Sequence, residues 1–147
     1  MSNAIGFSRA SQSIPGENIA ASISAVTEFV NTNRQVIRGG LPPRVLRRVR
    51  EYVEAHLKDT ISLDALAGVA GLSKYHFARV FKHSEGVTPH DYVVQSRVRH
   101  ALELMSSTEL SLSEIALAAG FSDQSHFTHR FRELVGVPPS SYRWSMR

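Results

Sequence analysis

The stretch SLDALAGVAGLSKYHFARVFKHSEGVTPHDY, Ser62 to Tyr92, returns slightly altered as SLSEIALAAGFSDQSHFTHRFRELVGVPPSSY, Ser111 to Tyr142. Leu63, Ala67, Ala70, Gly71 and Ser73 match Leu112, Ala116, Ala119, Gly120 and Ser122, each 49 positions later. After one inserted residue the offset becomes 50, and His76, Phe77, Phe81, Gly86, Val87, Pro89 and Tyr92 match His126, Phe127, Phe131, Gly136, Val137, Pro139 and Tyr142. Two copies are too few for a solenoid, so the repeat predicts one domain built from two similar helical modules.

The chain has 147 residues, of which 42% are hydrophobic, enough for one ordinary core and an appendage. With no cysteine it has no disulfide framework, no thiol nucleophile and no cysteine-ligated zinc, which fits a reducing, cytoplasmic setting. No apolar run approaches the roughly 18 residues of a membrane span, and the first residues lack the charged and apolar regions expected of a signal peptide. The formal charge of +4 and the pI near 9.9 point weakly to a polyanionic partner. From Arg44 onward, 14 Lys and Arg face 11 Asp and Glu, a surplus that matters only if one face carries it.

Ser2-Asn3-Ala4 reads as a cloning remnant and is set aside. Residues 1–43 form an N-terminal segment in which Ile19, Ile23, Val26 and Val30 fall at helical spacing, predicting one amphipathic helix from about Glu17 to Asn33. Gly39-Gly40 and Pro42-Pro43 mark a linker. The domain proper spans 44–147. Its first helix, Arg44 to Leu57, is expected to bury Val45, Val49, Tyr52, Val53 and Leu57.

Ser62 caps a short helix, Gly71 ends it in the left-handed conformation, and Ser73 caps the next, with Phe77, Val80 and Phe81 inward. Thr88, Pro89 and Asp91 open a long helix through about Met105. Ser111 and Glu114 make a capping box that launches the second copy. The subdomains are thus about 44–87 and 107–147, joined by a linker helix of about 88–106. Tyr142 and Trp144, on a last short helix, are expected in the core.

A helix, a glycine-containing turn and a second helix with a packed back and a polar front let one helix enter a DNA major groove while its partner crosses the backbone. Two such units on a connector of roughly 27 Å suit major-groove segments about 34 Å apart. The two fronts carry different side chains, so the target need not be palindromic.

The patterns A-x-x-A-G-x-S, F-x-R-x-F-K and G-x-x-P-x-x-Y in the first module, with A-x-x-x-G-F-S, F-x-x-x-F-R and G-x-P-P-x-x-Y-R in the second, resemble the AraC/XylS transcription regulators over about Arg44 to Arg147. The resemblance implies an all-α, seven-helix DNA-binding domain of two helix-turn-helix units, usually attached to a separate ligand-binding or dimerisation domain. About 40 preceding residues are too few for such a domain, so the expectation is a fragment of a longer regulator or a small stand-alone member. By position, the resemblance places base reading on Tyr75, Ala78 and Arg79 in one helix and on Gln124, Ser125, His126 and His129 in the other. Arg79 suits bidentate binding to guanine, and Gln124 to adenine. Ala78 offers only a methyl for thymine, and His129 stands where the family commonly has arginine. Lys74, Lys82, Arg97 and Arg132 are expected on phosphates, which position the protein without specifying sequence.

The expected partner is double-stranded DNA at a promoter or operator. The competing reading is a protein-interaction module that docks on the transcription machinery, such as RNA polymerase, with little DNA affinity. Homodimerisation through the N-terminal segment or an absent upstream domain is a further expectation. His126 and His129 are three apart, yet they lack the cysteines and acidic pair of a metal site. No serine, histidine or aspartate sits in a nucleophile-elbow or glycine-loop context, so neither cofactor nor enzyme activity is expected.

Overall fold

In the computed structural model, which describes residues 39–147, the helices begin and end where the chain supplies capping groups. They are α1 (Pro43–Ala55), α2 (Leu63–Ala70), α3 (Lys74–Glu85), α4 (Pro89–Ser107), α5 (Leu112–Ala118), α6 (Gln124–Val135) and α7 (Pro139–Ser145), with no strand among the described residues. The N-terminal helix expected from about Glu17 to Asn33 lies outside them. Prolines in the first turn start α1 and α7, where a missing N–H costs nothing. Ser62 Oγ accepts from the Ala65 N–H at 3.0 Å to start α2, and Thr88 Oγ1 accepts from the Asp91 N–H at 3.1 Å to start α4. Each such cap is worth about 1 kcal/mol.

The described residues form two compact units. Residues 39–96 hold α1, α2, α3 and the first part of α4, and Arg97–Arg147 holds the rest of α4 with α5, α6 and α7. The long helix is therefore no bare rod. Tyr92 and Val94 are buried in the first unit, while Val98, Ala101, Leu102 and Met105 belong to the core of the second. The repeat accordingly reaches further back than Ser62. Arg48-Val49-Arg50 on α1 and Arg97-Val98-Arg99 on α4 share the 49-residue offset, and Val49 and Val98 are both fully buried. The helix that precedes each helix-turn-helix pair is therefore part of the repeat, α1 in the first copy and the second half of α4 in the second.

Each core is built on the same aromatic stack. Phe77 and Phe81 lie 5.4 Å apart, centre to centre, and Tyr92 meets Phe81 edge-on at 5.5 Å. Phe127 and Phe131 lie 5.5 Å apart, and Tyr142 meets Phe131 edge-on at 5.7 Å. Such pairs contribute about 0.5–1.5 kcal/mol beyond their burial. Burial also raises the Tyr142 phenol above its ordinary pKa.

Two core expectations need correction. Trp144 is 80% exposed, because it lies two residues beyond Tyr142 and so turns away from the core that Tyr142 enters. On α1 the buried stripe is Leu46, Val49 and Val53, at three- and four-residue spacing, with Val45 and Tyr52 half-buried at its edges.

Candidate nucleic-acid interface

Alanine and glycine let α2 and α3 meet through a turn of three residues. Gly71 takes φ 73°, its N–H donates to the Gly68 carbonyl at 3.1 Å, and the Leu72 N–H reaches back to Ala67 at 3.0 Å. This closure needs a left-handed residue, which glycine supplies without strain. Ser73 then starts α3, its Oγ accepting from the His76 N–H at 3.3 Å.

The second module repeats the closure and lengthens the turn. Gly120 takes φ 102°, and the Phe121 N–H donates to Ala116 at 2.9 Å. The inserted residue falls here: Ser122 matches Ser73 in sequence, but the cap is Asp123, whose Oδ1 accepts from the His126 N–H at 2.8 Å. Phe121, where the first module has Leu72, is 3% exposed and packs 5.3 Å from Phe127. Ser111 and Glu114 form the expected capping box, with reciprocal bonds of 3.1 and 2.8 Å. The Ser111 backbone N–H, with a further bond to the Ser111 side chain, holds the Glu114 carboxyl below its ordinary pKa.

With the phenylalanines fully buried behind them, the outward residues of α3 share one face. Lys74, Tyr75, Ala78, Arg79 and Lys82 span about 140° of the helix. Tyr75 is 79% exposed, Arg79 and Lys82 are exposed, and Ala78 and Lys74 are half-buried. Lys74 Nζ lies 3.9 Å from Asp64 and 5.5 Å from the Tyr75 ring centre, a surface arrangement of small energetic weight. Arg79 makes no hydrogen bond or ion pair among the described residues, so its guanidinium is open to a ligand.

The front of α6 differs. Gln124, Ser125, His129 and Arg132 are exposed on the equivalent face. His126 lies off that face, its ring edge-on to Phe121 at 5.5 Å. His129 Nε2 lies 3.1 Å from Glu133 Oε2, and Arg130 Nη1 donates to Glu133 Oε1 at 2.8 Å. Glu133 is no candidate in the repeat pattern, and the sequence signal for it is its four-residue spacing from His129. Arg97, on α4, is half-buried, and that burial lowers its guanidinium from the ordinary value.

A family of helix-turn-helix domains matches residues 66–145. The chain belongs to the AraC family of transcriptional regulators. It is 38% identical over 99 residues to the probable transcriptional regulator LumQ of Photobacterium leiognathi, a match covering 67% of this chain and 40% of LumQ. The chain thus spans less than half of that relative. A crystal structure of an AraC-type regulator from Chromobacterium violaceum superposes with a TM-score of 0.65 at 30% identity, covering 69% of this chain and 90% of that one. The DNA-binding domain of AdpA, a global transcriptional factor solved in complex with a target DNA, superposes at 0.66 with 28% identity, over 69% and 92% of the two chains.

Among the described residues, no group of three or more histidines and carboxylates is placed to hold a metal ion, and no helix is long and apolar enough to cross a membrane.

Proposed function

We propose that this chain is the DNA-binding part of a transcription regulator, in which α3 and α6 each enter a major-groove segment of double-stranded DNA. One observation carries the reading. Each module presents a polar helix front on a fully buried phenylalanine back, and the two fronts differ. The AdpA domain, solved with its target DNA, supports it.

In this reading, Tyr75, Ala78 and Arg79 read one segment, with the open Arg79 guanidinium binding guanine in a bidentate way. Gln124, Ser125 and His129 read the other, and His126 serves at the edge. Lys74, Lys82, Arg97 and Arg132 bind phosphates. The domain is residues 44–147, with the preceding segment as its attachment. The exposure of Trp144, 80%, is the observation on which a second reading rests, a contact with protein such as RNA polymerase or another copy of the chain.

Salt dependence separates the readings. The four phosphate contacts named above lower affinity by about 10² between 50 and 200 mM salt. An affinity for promoter DNA that scarcely changes over that range would favour the protein-interaction module instead.

A further inference from the structure

The first reading helix is fastened at its far end by polar groups that its counterpart lacks. Ser84 and Glu85, the last residues of α3, are 2% and 1% exposed. Ser84 Oγ accepts from the Leu41 N–H at 2.7 Å, inside the unit. Arg50 of α1 donates from Nε to Glu85 Oε2 at 2.7 Å, and its Nη2 closes on the same oxygen. Leu41, 5% exposed, is itself buried at the end of the linker that leads into α1. At the matching positions of α6, 50 residues later, stand Leu134 and Val135, and Val135 is 1% exposed in the second core.

A purely apolar end, as in α6, fills space without fixing rotation or pitch. A buried carboxylate held by two guanidinium nitrogens is directional, since displacement stretches both contacts to a charge that stays buried. The Leu41 N–H bond adds a second fixed point, from a segment outside the helix pair. The two points bear on the helix that carries Tyr75 and Arg79, and a bidentate base contact tolerates only a small angular error.

We infer that Arg50, Ser84 and Glu85 are positioning residues for base reading by α3. They hold its front in register with the first DNA segment, and through Leu41 they tie that register to the chain leading into the domain. This inference rests on the DNA-binding reading above.

The test uses the full chain and half-site-resolved selection from a random double-stranded DNA pool, with affinities then measured on each half-site and its single-base variants. Arg50→Leu/Glu85→Val exchanges the ion pair for apolar side chains, with valine at the position that Val135 holds in α6, and such exchanges of a buried ion pair commonly preserve stability. Ser84→Ala removes only the bond to Leu41. Both variants are expected to keep the helical circular dichroism and affinity for random DNA, and to lose about tenfold in discrimination at the half-site read by Arg79, with none lost at the other.

Undiminished discrimination at the Arg79 half-site in Ser84→Ala and in the double variant overturns the inference. An equal loss at both half-sites overturns it too, since that would be a general loss of stability. A parent chain that enriches no sequence would refute the DNA-binding reading itself.

Discussion

Phe77, Phe81 and Tyr92 stack in the same order as Phe127, Phe131 and Tyr142, and Gly71 closes one turn as Gly120 closes the other. Around this common skeleton the two modules diverge where they meet solvent or each helix end. Arg79 is open, whereas His129 is engaged by Glu133. Glu85 is locked to Arg50, whereas Val135 simply packs. Duplicated positions are those at which a change would leave a void or a strained backbone. Diverged positions are those free to acquire a separate sequence preference.

The largest effects should fall on the shared skeleton. Phe81→Ala and Phe131→Ala each empty a fully buried ring site and should cost about 3–5 kcal/mol in urea unfolding. If either costs less than about 1 kcal/mol, the two cores are not equivalent in the way the aromatic stack implies. Next comes the asymmetry at the helix ends. Glu85→Val alone removes the buried carboxylate that Arg50 grips and should cost about 3 kcal/mol. Val135→Ala removes only two methyl groups and should cost about 1–2.5 kcal/mol. Comparable urea midpoints for the two would remove the distinction between a locked and a packed end.

Smaller effects probe the fronts. Lys82→Ala and Arg132→Ala occupy matching positions, and each should lower the salt slope of DNA binding by about one while leaving base preference unchanged. A change of base preference in either would move that residue from phosphate to base contact.

The smallest concerns the capping box, present only in the second module. The Glu114 carboxyl has a lowered pKa in the folded chain, so its stabilisation is present above the ordinary carboxylate value of about 4.3 and is lost as pH falls through the depressed folded value. Hydrogen exchange should show the start of α5 loosening in that acid window in the parent chain. In Glu114→Gln that pH dependence should vanish, and its persistence would assign the loosening to another carboxylate.

What the sequence disclosed follows from the range of each interaction. The caps at Ser62, Ser73 and Ser111, the glycine turns and the phenylalanine stripes depend on residues within four or five positions, so spacing alone exposes them. The Arg50–Glu85 pair joins residues 35 apart, and Leu41 to Ser84 spans 43, so neither could be read from local pattern. Trp144 departs from the repeat for a different reason: its counterpart Val94 is buried within a long helix, but α7 ends at Ser145. The cap at Asp123 was hidden because the nearby Ser122 offered an equally good sequence match to Ser73.

In the DNA-binding reading, one skeleton carries two different reading surfaces. Selection of bound sequences from a random double-stranded DNA pool, with the parent chain and Arg79→Ala side by side, tests it most directly. The parent should enrich two unlike half-sites, and Arg79→Ala should lose about 1–3 kcal/mol of preference at one position of one half-site, leaving the other intact. Two identical half-sites, or an equal loss at both, would contradict it.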